Sequence, residues 1–175
     1  QKQKKYAFLT LHRPSNVDNR QAFEQIVSAL NEIAGEKPIF FPVHPRTKKM
    51  IDQLNIKLSE NVVMLPPLSF TESLFLWKDA EVVLTDSGGL QEETTALKKP
   101  CVTIRENTER PITIIAGTNV LVGQDMARLL AEARRILNGT AKKGRVPSLW
   151  DGCAAYRIAD VVLAAFAEQE AQRQL

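Results

Sequence analysis

Cysteine is scarce in this chain. Cys101 and Cys153 are the two present among 175 residues, and no CxxC spacing joins them. A zinc ribbon and a disulfide framework are thereby excluded. Each has apolar or small neighbours on at least one side. Both are therefore expected as buried thiols in a reducing compartment, which makes the cytoplasm the expected location. Long apolar runs are missing too. Nothing approaches the ~18 apolar residues of a spanning helix, and Tyr6–Leu11 is too short for the apolar core of a secretory signal. Neither sign of charge prevails. Lys and Arg number 23 against 20 Asp and Glu, a net charge of +3. That is too small and too evenly spread for a nucleic-acid partner or a charged membrane surface. The one basic knot, Lys2, Lys4 and Lys5, reads as a solvated entry segment. Low-complexity runs and internal repeats are absent as well.

What is present suffices for one packed domain. Hydrophobic residues make up 44% of the chain and charged residues 25%, which excludes disorder and supplies a core. The chain begins without Met and enters a strand almost at once, so it reads as one domain of something longer.

Short apolar runs alternate with helical patterns. The expected strands are Tyr6–Leu11, Ile39–Val43, Val62–Leu65, Glu81–Thr85, Pro100–Ile104 and Asn119–Val122. The first helix is expected to open at Asp18 as N-cap and to close at Gly35. Its apolar stripe is Phe23, Ile26, Val27, Leu30, Ile33 and Ala34. Further helices are expected over Pro45–Leu54, Ser69–Lys78, Gly89–Leu97, Pro111–Ala116, Asp125–Leu137 and Ala154–Glu170. Leu74, Phe75 and Trp77 should point inward from the second of these six. The strands are continuous rather than alternating in apolar character, as strands buried on both faces are. Strand–helix repetition then predicts an α/β fold: a Rossmann-like, doubly wound parallel sheet of about six strands.

In such sheets ligands sit beyond the carboxyl ends of the strands. The residues there are His12–Asn16, His44–Arg46, Pro66–Leu68, Asp86–Gly89 and Arg105–Arg110, so both histidines of the chain fall on one edge. Asp86–Ser87–Gly88–Gly89 stands between a strand and a helix. Its glycines let a ligand approach the backbone, and the helix start offers N–H groups and a dipole to a phosphate. Equally, it fits a plain turn capped by Ser87. It lacks both the GxGxxG and the GxxxxGK[ST] patterns. Glu92 and Glu93 either accept from ribose hydroxyls or merely stabilise the first helical turn. His12 with Arg13, and His44 before Pro45, are either ligand contacts or solvated strand ends. An arginine in the Thr108–Pro111 loop is placed to clamp an anion, unless the loop is only a helix entry.

Taken in order, the strings TLHRPSNVD, FPVHPR, LTDSGGLQEE, RENTERP and GTNVLVG closely resemble the carboxyl-terminal half of UDP-N-acetylglucosamine 2-epimerases, from about Tyr6 to the last helix. The resemblance implies one half of a glycosyltransferase-B architecture. Residues 1–175 would form a single nucleotide-binding domain, completed by its own amino-terminal domain and homodimeric at full length. It implies His12 as the active-site histidine beside the diphosphate, Ser87, Gly88 and Gly89 as the diphosphate turn, and Glu93 as the ribose acid. Arg110 would lie near the phosphates, with Arg13 and His44 among the UDP contacts. Uracil contacts are implied for Pro66–Ser73, where Leu68 and Ser73 replace the Gln and Phe of the best-known bacterial members and Phe70 offers a stacking ring. The implied reaction interconverts UDP-GlcNAc and UDP-ManNAc by elimination and re-addition of UDP and calls for no metal or other cofactor. A hydrolysing 2-epimerase, a glycosyltransferase of the same architecture and a non-catalytic nucleotide sensor are the alternatives.

Overall fold

The computed structural model describes residues 5–173; Lys2 and Lys4 lie outside the described residues. Six strands form one sheet: β1 (Ala7–Thr10), β2 (Ile39–Pro42), β3 (Val62–Leu65), β4 (Val82–Thr85), β5 (Cys101–Thr103) and β6 (Asn119–Leu121). Every pairing is parallel and the order is β3-β2-β1-β4-β5-β6. The expected Rossmann-like sheet is thus the one found. The order reverses between β1 and β4, whose registers run Ala7 to Val82 through Thr10 to Thr85. That reversal opens the crevice in which such sheets bind ligands.

Helices cover both faces: α1 (Pro14–Val17), α2 (Arg20–Glu36), α3 (Pro45–Gln53), α4 (Phe70–Trp77), α5 (Gly88–Ala96), α6 (Pro111–Ile115) and α7 (Met126–Leu137). On one face α2 buries Phe23, Ile26, Val27, Ala29, Leu30, Ile33 and Ala34 against β1, β2 and α7. Each large side chain among them contributes about 1.5–3 kcal/mol. On the other face Phe8, Trp77, Val83, Leu90 and Cys101 form a smaller cluster. A last helix, α8 (Ala154–Arg173), follows an irregular segment. None of the described helices is long and apolar enough to cross a membrane.

Four local expectations are corrected. The N-cap of α2 is Asn19, whose side chain accepts from the Ala22 N–H at 3.0 Å. Asp18 is taken by the unforeseen one-turn helix α1 as its C-cap, and its carboxylate pairs with Arg46. Gly35 does not end α2. The helix runs on to Glu36, which holds Arg134 of α7 at 2.8 Å. Phe75 is 64% exposed, because Leu74 and Trp77 already take the inward face of α4; the Lys78 ammonium lies over its ring instead. Cys101 is buried as expected, and burial pushes its thiol up to about 11. Cys153, by contrast, is exposed in the turn before α8.

The segment after α7 is pinned by a close backbone contact. A Cβ on Gly144 would fall 2.4 Å from the Gly117 carbonyl carbon, and one on Gly117 would fall 2.5 Å from the Thr113 carbonyl oxygen, so neither glycine has room for a side chain. Next to that contact the Arg145 N–H donates to the Ala116 carbonyl, and the Lys142 ammonium donates to the carbonyls of Ile114 and Asn119.

Candidate nucleotide site

The crevice between β1 and β4 is built from threonines outward. Thr10 and Thr85, paired in register, share a hydrogen bond of 2.7 Å between their hydroxyls. Thr85 Oγ1 also accepts from the Ser87 N–H at 2.9 Å, which turns the chain into α5. Ser87 occupies the N-cap position, yet its hydroxyl accepts from no helix N–H. The plain capped turn is therefore not what forms. The N–H groups of the first turn of α5 stay available for an anion, favoured by the helix dipole.

A buried network fixes this turn. Gln91 donates from Nε2 to the Ser87 carbonyl at 3.0 Å. Its Oε1 accepts from Thr108 Oγ1 at 2.6 Å and from Asn119 Nδ2 at 3.2 Å. Asn119 in turn accepts from Thr103 and donates to Thr113. One fully buried glutamine thus ties the α5 turn to the Arg105–Arg110 loop, α6 and β6. Such networks hold one geometry firmly because leaving a buried member unpaired costs about 1–3 kcal/mol.

Asp86, the last residue before the turn, is fully buried. Its carboxylate accepts from the backbone N–H groups of His12 and Arg13, the latter at 2.8 Å, and from the Asn16 amide at 3.2 Å. It also stands 3.0 Å from His12 Nδ1. The loop after β1 is in this way wrapped around the end of β4. Thr47 Oγ1, buried in α3, donates to the Leu11 carbonyl at 2.6 Å and brings His44 alongside. His44 is the N-cap of α3, and its Nδ1 accepts from the Arg46 N–H at 3.2 Å. The two imidazole centroids are 6.1 Å apart.

A cavity of about 310 Å³ lies at this edge. It brings together His12, His44, Phe70, Ser87 and Glu93, with Leu68 and Ser73 also in its wall. Phe70 is held there because Ser69 starts α4 with a full capping box to Glu72, so the ring projects at 67% exposure. The two acids of α5 part company. Glu93 faces the cavity, where burial first and Glu92 second hold its carboxyl above the ordinary range. Glu92 instead pairs with Arg110 Nε at 2.9 Å. Arg110 accordingly stands outside the cavity wall. Arg13 is not in that wall either; it lines an adjoining polar cavity with Arg105.

Gln91 went unmarked in the sequence, and Asp86 and Arg105 were marked only as members of strand-end segments, with no role of their own. Arg105 makes a two-pronged pair with Glu109 at 2.7 and 2.9 Å, and that pairing takes the Glu109 carboxyl down to about 2. The Glu109 carboxylate flanks the turn, 3.9 Å from where a Cβ on Gly88 would sit. Asp86 had a legible mark: an acid closing an apolar strand, with no cation beside it in sequence, must find its donors across the fold.

Comparison with known proteins gives the family. A family model described as UDP-N-acetylglucosamine 2-epimerase matches residues 1–163. A UDP-N-acetylglucosamine 2-epimerase of Methanocaldococcus jannaschii is 44% identical over 139 residues, covering 76% of this chain and 38% of the relative. A UDP-2,3-diacetamido-2,3-dideoxy-D-glucuronate 2-epimerase of Pseudomonas aeruginosa is 40% identical over 136 residues, covering 77% and 38%. The solved M. jannaschii UDP-GlcNAc 2-epimerase in complex with UDP-GlcNAc and UDP superposes with a TM-score of 0.81. It is 38% identical and covers 92% of this chain and 46% of that one. The chain thus spans less than half the length of the relatives it matches. By sequence and by fold, this chain belongs to the UDP-N-acetylglucosamine 2-epimerase family.

Proposed function

We propose that this chain is the nucleotide-binding, carboxyl-terminal domain of a 2-epimerase that interconverts UDP-GlcNAc and UDP-ManNAc. The observation that carries the reading is the meeting of His12, Ser87 and Glu93 in one cavity at the reversal of strand order. The free N–H groups of the α5 turn, at Gly88 and Gly89, take the diphosphate. Glu93 accepts from the ribose hydroxyls, Phe70 stacks on the uracil, and His12 faces the diphosphate with His44 beside it. Arg110 and Arg13 supply charge from the rim, Arg110 after exchanging Glu92 for phosphate. The two relatives compared above carry names that share UDP and 2-epimerisation but differ in the sugar. That pattern supports a domain whose task is to hold UDP.

In the reaction a base removes the C2 proton, the C1–O bond breaks, and its electron pair leaves with UDP. A glycal remains. Re-addition of UDP with protonation on the other face of C2 gives the epimer. Groups aimed at the departing diphosphate stabilise charge that grows as the bond breaks. Those groups are on this chain. The carboxylates that move the C2 proton belong to the amino-terminal domain. Helix α8 supports such a partner: Tyr156, Ile158, Val161, Leu163 and Phe166 are each more than 60% exposed along it. The full-length protein is taken to be a cytoplasmic homodimer.

Incubating the full-length protein with UDP-GlcNAc tests the reading. UDP-ManNAc is the expected product, and the 175-residue chain alone should give none. Release of free ManNAc and UDP would identify the hydrolysing enzyme instead. No conversion by a folded full-length protein would overturn the proposal.

A further inference from the structure

We propose that Asp86 is a positioning residue for His12, fixing the imidazole with its proton on Nδ1 so that Nε2 alone faces the ligand. The proposal rests on reading this edge as the UDP site. A carboxylate can only accept, and Asp86 is surrounded by nitrogens that donate. Oδ2 takes the N–H groups of His12 and Arg13 and the Asn16 amide, at 3.0, 2.8 and 3.2 Å. Oδ1 is left to the His12 backbone at 3.1 Å and to His12 Nδ1 at 3.0 Å. Because Asp86 is fully buried and its carboxylate is gripped on three sides by the loop, the aspartate cannot turn away. Facing an oxygen that only accepts, 3.0 Å away, Nδ1 is assigned the proton. The ring nitrogen that remains, Nε2, carries the lone pair: it takes up a proton from the ligand side and, once protonated, donates to a phosphate oxygen.

His44 supplies the internal contrast. Its Nδ1 accepts from the Arg46 N–H, so its proton belongs on Nε2. The two histidines of the chain, 6.1 Å apart, are thus held in opposite tautomers, one by a carboxylate and the other by a backbone N–H. A histidine left to solvent has no such assignment. Which nitrogen carries the proton is set by the partner of the other one.

The test reads the tautomer directly. In the 175-residue chain labelled with ¹⁵N-histidine, long-range ¹H–¹⁵N correlation should show His12 protonated at Nδ1 and His44 at Nε2. His44→Gln assigns the two spin systems. In Asp86→Asn the amide oxygen keeps the three donors now on Oδ2, and the amide NH₂ then faces Nδ1. The His12 signal should switch to Nε2–H while the far-ultraviolet circular dichroism stays the same. In the full-length protein that variant should lose turnover roughly 100-fold, because Nε2–H can no longer take up a proton on the ligand side, with the Michaelis constant changed less than about threefold. His12 protonated at Nε2 in the wild type would overturn the proposal. So would an unaltered His12 signal in folded Asp86→Asn. If Asp86→Asn unfolds the loop, the wild-type tautomer still decides. Calorimetry with UDP separates the two readings. UDP bound with the wrong tautomer removes the Asp86 proposal alone. The right tautomer with no UDP bound leaves the pair and removes the nucleotide site.

Discussion

Helices α2 and α8 are the longest in the chain, at 17 and 20 residues, and both are rich in large apolar side chains. In α2 those side chains recur at three- and four-residue steps, form one stripe and are buried to within a few percent. In α8 Tyr156, Ile158, Val161, Val162, Leu163 and Phe166 spread over more than half the circumference and remain in contact with water. So wide an apolar face is of the kind a helix normally buries against other protein. The difference shows that apolar spacing reveals how much a helix has to bury, whereas the burial itself depends on what the rest of the fold supplies. The same contrast recurs in miniature on α5, where the consecutive acids Glu92 and Glu93 meet an arginine and a cavity respectively.

Truncation sharpens the contrast most strongly. Leu30→Ala in α2 should cost about 2–5 kcal/mol through lost burial and the cavity left behind. Leu163→Ala in α8 should stay within about 0.5 kcal/mol in the isolated chain, as surface substitutions do. Urea denaturation of the two variants measures both. A comparable loss at Leu163 would show α8 packed in solution.

Next in size is the pair of acids. In the full-length protein Glu93→Ala should weaken UDP-sugar binding by about 1.5–3 kcal/mol, the worth of a charged hydrogen bond. Glu92→Ala should do less, because its partner Arg110 can move to the phosphates. Isothermal calorimetry decides, and a larger effect at Glu92 would reverse the facing of α5 shown by the cavity.

The Gly117–Gly144 contact is a third point. Gly144→Ala forces a Cβ into backbone, and such overpacking costs about 1–3 kcal/mol. A melting temperature equal to wild type would mean that the segment leading to α8 is not docked as seen.

The smallest effect is electrostatic. The folded Glu109 carboxyl lies below its unfolded value of 4.5, so its pairing with Arg105 stabilises fully above about pH 4.5 and is lost as pH falls through about 2. Carboxyl ¹³C titration of Glu109 should follow that course. Glu109→Gln should tighten UDP binding, since it removes a negative charge flanking the turn and frees Arg105. Weaker binding would make Glu109 a support of the site rather than a competitor to the phosphate.

Much of this molecule can be read from sequence, and the exceptions share a cause. Continuous apolar strands and α2's stripe depend on local pattern, and both appear as expected. Phe75, Gly35 and Asp18 depend on partners distant in sequence: the cluster of Phe8, Val83 and Cys101 takes Leu74 and Trp77 rather than Phe75, Arg134 holds the end of α2, and Arg46 takes the Asp18 carboxylate. At the site, strand ends marked His12 and Ser87, and the family resemblance selected Glu93. Asp86 orients His12 across 74 residues, and Gln91, four residues from Ser87, is itself anchored by Thr108 and Asn119, 17 and 28 residues away, which no local spacing encodes.

The central claim is that the carboxyl edge of this sheet is a UDP site. Titrating the folded 175-residue chain with UDP and with AMP, while following backbone amide shifts, tests it most directly. Weak but saturable UDP binding is expected, stronger than for AMP, with the largest shifts at His12 and from Ser87 to Glu93. No shift at millimolar UDP, or equal response to AMP, would contradict it.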